Sequence, residues 1–155
     1  MPATKAIIAL GANLGEPAQA ILEALQRLGR EEGVRVLKVS RLMKTKPVDC
    51  PPNSPDFHNG VAMLDTTLDA QALLALLLAT EAAMGRERGD QRNQPRKIDL
   101  DLIFFGDLVL SAESVEVPHP RMHERRFVLE PLNEIAPEWI HPTLQKTVQE
   151  LFAAL

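Results

Sequence analysis

Asp99 and Asp101, one residue apart in Ile98-Asp99-Leu100-Asp101-Leu102-Ile103-Phe104, carry the most legible chemistry in the chain. Side chains alternate along an extended strand, so Ile98, Leu100, Leu102 and Phe104 are expected on one face and the two aspartates on the other. Two carboxylates placed this way repel each other and need a cation when they are withdrawn from water. Paired carboxylate oxygens suit a hard ion. Mg2+ commonly takes one or two carboxylates, with water and substrate phosphates completing its shell. A solvated strand edge is the alternative for the same two residues. Just upstream, Arg86, Arg88, Arg92, Arg96 and Lys97 set five cations against Glu87 and Asp90, so residues 85–97 are locally basic by +3. Arginines that clamp phosphate beside carboxylates that hold metal are the division of labour found in phosphoryl transfer.

Other side chains suggest recognition. In Phe57-His58-Asn59-Gly60, the amide of Asn59 beside an aromatic ring suits the edge of a planar heterocycle, although Asn59 could equally bind backbone. His119 lies between Pro118 and Pro120 and leads into a second basic cluster containing Arg121, Arg125 and Arg126, where a restricted backbone serves a fixed contact or a plain turn. Cys50 is the single cysteine, which leaves no internal disulfide and no thiolate zinc site, and no base adjoins it. Neither G-x-G-x-x-G nor G-x-x-x-x-G-K-[ST] occurs, so a nucleotide site must be built another way.

The elements that position these residues follow from periodicity. Lys5–Leu10 reads as a buried strand, and Gly11 to Pro17 as a turn into a helix. That helix runs from Ala18 through Ile21, Leu22, Leu25 and Leu28 to Gly29 or Gly33. Val34–Met43 reads as a second strand with a bulge. Residues 45–56 hold four of the twelve prolines and make a shaped loop. Phe57–Leu64 is a third strand with Phe57, Asn59, Val61 and Met63 on one face. Leu68–Met84 is a helix with a broad leucine face, capped by Thr67 or Asp69. After the aspartate strand, Phe105-Gly106-Asp107-Leu108 offers a hairpin turn into Leu108–Leu110, and Val115–Val117 a short edge strand. A helix over Arg121–Glu130, a core Trp139 and a last helix carrying Leu144, Val148, Leu151 and Phe152 complete the chain. This order predicts an α+β fold: a ferredoxin-like βαββαβ antiparallel sheet with an extra C-terminal hairpin and helices. With helices on one face, the open face would hold ligands, rimmed by residues 45–56, 85–97 and 119–127.

The 155 residues fit one domain spanning 1–155. The net charge is -4, so the chain outside the basic island carries -7, which favours one small polyanion over a nucleic-acid backbone. The longest apolar stretch falls far short of a bilayer span, and Met1-Pro2-Ala3-Thr4-Lys5 does not open a secretory leader. A cytoplasmic protein with no membrane partner is expected.

Four stretches in order, Leu10-Gly11-Ala12-Asn13-Leu14-Gly15, Phe57-His58-Asn59-Gly60, Arg92-Asn93-Gln94-Pro95-Arg96-Lys97-Ile98-Asp99-Leu100-Asp101-Leu102 and Pro118-His119-Pro120-Arg121-Met122-His123-Glu124-Arg125-Arg126-Phe127, resemble the pterin pyrophosphokinase family of folate synthesis. The resemblance implies transfer of pyrophosphate from MgATP to the hydroxymethyl oxygen of 6-hydroxymethyl-7,8-dihydropterin, with release of AMP. It implies that Asp99 and Asp101 hold two Mg2+ ions, with Asp99 also a proton acceptor, and that Arg86 and Arg96 are catalytic. It places Arg88, Arg92, His119 and Arg125 on ATP. Phe57 and Phe127 match the aromatic pair that sandwiches the pterin, whose edge is read by Asn59, Thr45 and the backbone near Val48. Asn93 stands where many relatives carry tryptophan, Phe57 where tyrosine is common, and Pro120 where an aromatic is frequent. A monomer is expected, and Gly85 and Gly89 are candidate hinges of a lid. A metal-dependent phosphodiesterase and a non-catalytic binding domain are the competing readings of the same residues.

Overall fold

The computed structural model describes residues 3–13, 16–45, 56–85 and 98–155. Its elements are β1 (Thr4–Ala12), α1 (Pro17–Gly29), β2 (Val34–Val39), β3 (Met43–Thr45), β4 (Phe57–Thr66), α2 (Ala70–Ala83), β5 (Asp99–Phe105), β6 (Leu110–Ser111), β7 (Glu116–Val117), α3 (Arg126–Ile135) and α4 (Val148–Ala153). The main sheet has the order β2-β4-β1-β5, β3 also pairs with β4, and every pairing is antiparallel. The fold is thus a mixed α/β arrangement on an antiparallel sheet.

Both long helices begin where their sequences provide a start. Pro17 opens α1 with φ already fixed for a helix and no orphaned N–H. The Asp69 carboxylate accepts the Ala72 N–H at 2.7 Å and caps α2. These helices cover one sheet face, packing Ile21, Leu25, Leu28, Leu73 and Leu77 against Ile8, Leu10, Leu64, Leu100 and Leu102. The leucine run of α2 is not buried throughout: Leu78 remains 48% exposed, because a 3.6-residue period turns it away from Leu73 and Leu77.

The opposite face is not open along its length, contrary to the sequence expectation. One end is covered by α3 and α4, whose Val128, Leu129, Leu132, Val148 and Leu151 bury Ile7, Val61, Met63, Ile103 and Phe104. A bulge in β5 makes this possible. Ile8 pairs with Leu102 and Ile7 with Phe104, so Ile103 is an extra residue and the alternation shifts there. Phe104 consequently leaves the face of Leu100 and Leu102 and stacks on Trp139, with ring centroids 5.4 Å apart and planes 11° from parallel.

Four further expectations are corrected. Val34–Met43 is two strands, because the ladder on β4 breaks after Val39; Ser40 fills the break by donating its N–H to Val61 O and accepting the Val61 N–H at its hydroxyl, both at 2.9 Å. The turn at Gly106, with φ 55°, forms as read, but the chain then leaves the main sheet and β6 pairs with β7 instead of returning along β5. Towards the C-terminus, Met122–Glu124 is a short 3-10 turn, Arg125 is extended, and α3 starts only at Arg126. The last helix begins at Val148, where Thr147 and Glu150 form a capping box, leaving Leu144 outside it.

Candidate functional site

Towards the end that α3 and α4 leave uncovered, two rows of residues cross the same sheet face, with Ala9, Met43, Asn59, Asp99 and Asp101 half-buried and Gly11 and Val61 buried. In one row, Asp99 on β5 lies opposite Gly11 on β1, Gly11 opposite Asn59 on β4, and Asn59 opposite Met43 on β3. In the next, Asp101 lies opposite Ala9 and Ala9 opposite Val61. Neighbouring strands are about 4.8 Å apart, so Asp99 and Asn59 are two strand spacings apart with only a glycine between. That glycine has a steric reason: a Cβ at position 11 would lie 3.0 Å from Asn59 Oδ1. On the far side, Asn59 Nδ2 donates to Thr45 Oγ1 at 2.9 Å, which turns Oδ1 towards the Gly11 gap. The side chains of Asp99 and Asp101 thus share a face with an oriented amide, while Leu100 and Leu102 are buried on the helix side.

Phe57 opens β4 opposite Thr45 and shares the face of Asn59. Phe127 lies in the first turn of α3, half-buried against the same core cluster, and the Arg125 guanidinium stands 5.7 Å from its ring centroid. Such a cation over a ring face is attractive and fixes both groups. His119 follows a cis Val117–Pro118 bond, and its N–H donates to Ile103 O on β5 at 2.9 Å. Its Nδ1 accepts the Arg121 N–H at 3.2 Å, so the neutral ring carries its proton on Nε2. Burial, followed by the nearby Arg125, holds this imidazole below the usual histidine range; Glu116 pulls the other way and does not prevail. His119 is therefore a neutral donor at pH 7.

The structure places Thr45, Phe57, Asn59, Asp99, Asp101, His119, Arg125 and Phe127 on β3, β4, β5, the segment that leads into α3 and the first turn of α3. Val48, Arg86, Arg88, Arg92 and Arg96, together with Lys97, Cys50, Asn93 and Gly89, lie outside the described residues. Sequence reasoning missed Glu81. This α2 residue is 2% exposed, and its Oε2 accepts the N–H of Leu100, between the two aspartates, at 2.7 Å. The signal was present: Leu73, Leu77 and Glu81 fall at intervals of four, which puts a carboxylate on a buried helix face. Among the described residues no group of three or more His, Cys, Asp or Glu is assembled as a cation site, and no helix is long and apolar enough to cross a membrane.

The family model for 7,8-dihydro-6-hydroxymethylpterin-pyrophosphokinase matches residues 7–137. A 2-amino-4-hydroxy-6-hydroxymethyldihydropteridine pyrophosphokinase from Pseudomonas aeruginosa is 42% identical over 95% of this chain and 89% of its own length. The Synechocystis protein of the same name is 38% identical over 94% of this chain and 73% of its own. Some relatives are much longer: the chain spans about a fifth of a Pneumocystis carinii folic acid synthesis protein, to which it is 37% identical. Among solved structures, Plasmodium falciparum HPPK-DHPS superposes with a TM-score of 0.77 over 98% of this chain and 43% of that one, at 16% identity, a likeness of fold.

Proposed function

The chain belongs to the 7,8-dihydro-6-hydroxymethylpterin-pyrophosphokinase family, and we propose that it transfers pyrophosphate from MgATP to the hydroxymethyl group of 6-hydroxymethyl-7,8-dihydropterin, releasing AMP, as a step of folate biosynthesis. The observation that carries this reading is the row Asp99, Gly11, Asn59: an acidic centre and an oriented amide on one sheet face, separated by a gap without a side chain. We read the fold as ferredoxin-like with C-terminal additions, which the strand order β2-β4-β1-β5 supports. We read residues 1–155 as one pterin pyrophosphokinase domain, acting as a cytoplasmic monomer with no nucleic-acid or membrane partner.

The residues fit a hard divalent cation. Asp99 and Asp101 offer carboxylate oxygens on one face, and their row neighbours Gly11 and Ala9 are small enough to leave room for a hydrated ion. In this reading they hold two Mg2+ ions, which when bound with ATP neutralise the polyphosphate. Every other part is played by side chains. Asn59, held by Thr45, reads the pterin edge together with backbone near Val48. Phe57 and Phe127 sandwich the ring, Arg125 fixing Phe127 from one face. Flat stacking orients the hydroxymethyl group at low entropic cost. Its oxygen attacks the β-phosphorus, the bond to the α-phosphate oxygen breaks, AMP departs, and the hydroxyl proton passes to Asp99. The neutral His119 donates from Nε2 to ATP, beside Arg125, while Arg88 and Arg92 hold the nucleotide and Arg86 and Arg96 stabilise charge developing on the phosphates. Asp101→Ala tests the acidic centre. The fold is expected to persist, because Asp101 is half-buried on the sheet face opposite α1 and α2, while turnover falls by at least roughly a hundredfold. Turnover equal to that of the parent would refute the assignment.

A further inference from the structure

We infer that Glu81 is a positioning residue that sets the geometry of the two aspartates through the main chain between them. This inference rests on the assignment of Asp99 and Asp101 as the acidic centre. Among the described residues β5 is at one edge of the main sheet, and alternate backbone groups along it face away from β1. Two of these outward groups are taken by other parts of the chain. The Leu100 N–H donates to Glu81 Oε2 at 2.7 Å, and Ile103 O accepts the His119 N–H at 2.9 Å. The aspartate strand is thereby held from its open side by a helix carboxylate at one point and by the backbone of the proposed nucleotide-binding histidine at another.

The chemistry of Glu81 sets it apart from an ordinary core residue. It is 2% exposed on a helix face otherwise formed by Ala70, Leu73, Leu77 and Thr80. A leucine there would continue the apolar face without the cost of withdrawing a carboxylate from water. A 2.7 Å bond from one backbone N–H to a side-chain oxygen is directional, and Leu100 is the residue whose φ and ψ govern how the flanking side chains are presented. A change of backbone angle at Leu100 would splay Asp99 and Asp101 relative to each other. Groups that orient metal-holding side chains from behind typically change metal affinity by about 10–100-fold when removed.

Three full-length variants, Glu81→Leu, Glu81→Gln and Asp101→Ala, separate the possibilities. Mn2+ binding is titrated by electron paramagnetic resonance in the presence of a non-hydrolysable ATP analogue, well below each variant's melting temperature, and amide exchange at Leu100 is followed by NMR. Glu81→Leu is expected to weaken Mn2+ binding by about tenfold or more and to speed exchange of the Leu100 amide, with pterin affinity within about threefold of the parent. Glu81→Gln keeps an acceptor oxygen and is expected to retain Leu100 protection and Mn2+ affinity within about threefold, which also decides the matter if the leucine variant does not fold. Parent-like Mn2+ affinity in Glu81→Leu, or a tenfold loss in Glu81→Gln with Leu100 still protected, would overturn the inference while Asp101→Ala still loses metal. If Asp101→Ala itself binds Mn2+ like the parent, the acidic-centre assignment fails and the role of Glu81 fails with it.

Discussion

Gly11→Ala probes the gap between the acidic centre and the pterin-reading amide. A Cβ built on Gly11 lies 3.0 Å from Asn59 Oδ1 and 3.8 Å from His58 O, whereas ordinary contact begins near 3.4 Å. The amide must therefore retreat by a few tenths of an ångström. It cannot do so without disturbing the 2.9 Å bond from Nδ2 to Thr45 Oγ1. Losing most of one neutral hydrogen bond costs about 1 kcal/mol, and misdirecting Oδ1 from the heterocycle edge costs about as much again. The sum, about 2 kcal/mol, corresponds to roughly thirtyfold weaker pterin binding. The stability change should lie between about 0 and 2.6 kcal/mol, because about 1–3 kcal/mol of crowding is offset by about 0.4–1 kcal/mol from the loss of glycine's unfolded-state freedom. Calorimetric titration with pterin and, separately, with an MgATP analogue measures both sites. The expected result is a pterin Kd raised about thirtyfold with nucleotide affinity unchanged. A pterin Kd within about threefold of the parent, or an equal loss for both ligands, would refute the placement of the pterin edge at Asn59.

Two other perturbations give expected outcomes. Phe127→Ala removes one aromatic wall and the ring under Arg125, and calorimetric titration is expected to show pterin affinity falling more than nucleotide affinity; an equal fall for both would contradict the sandwich. His119 and His141 are both held below the usual histidine range, chiefly by burial, with Arg125 the next cause for His119 and His123 for His141. The unfolded chain takes up these protons near pH 6.5 while the folded chain resists them, so stability is lost as pH falls from about 7.5 towards and below 6. His141→Asn keeps an acceptor for the Thr143 and Leu144 N–H groups and should flatten part of that decline in melting temperature, whereas an unchanged slope would exclude His141 as a contributor.

What could be read from the sequence was local. The shared face of Asp99 and Asp101, the shared face of Phe57 and Asn59, and the cap at Asp69 depend on side-chain period and turn chemistry over a few residues. What could not be read depends on partners distant in sequence. Phe104 changes face because β1 pairs with β5 in a register containing a bulge, and nothing within β5 alone announces that shift. The covered end of the ligand face reflects α3 folding back over β4. Glu81 was missed although its spacing from Leu73 and Leu77 puts a carboxylate on a buried helix face, and its role required knowing that β5 lies at a sheet edge with the Leu100 N–H facing outward. Thr45 and Asn59 are intermediate: Asn59 was singled out as an amide beside Phe57 and Thr45 from the family resemblance, and their mutual hydrogen bond appears only once β3 and β4 are paired.

The most direct test of the pyrophosphoryl-transfer assignment is to incubate the protein with MgATP and 6-hydroxymethyl-7,8-dihydropterin and resolve the nucleotide products by chromatography. The assignment predicts AMP, formed only when pterin is present and in equal amount to the pterin diphosphate ester. Formation of ADP in its place, or no pterin-dependent turnover, would contradict it.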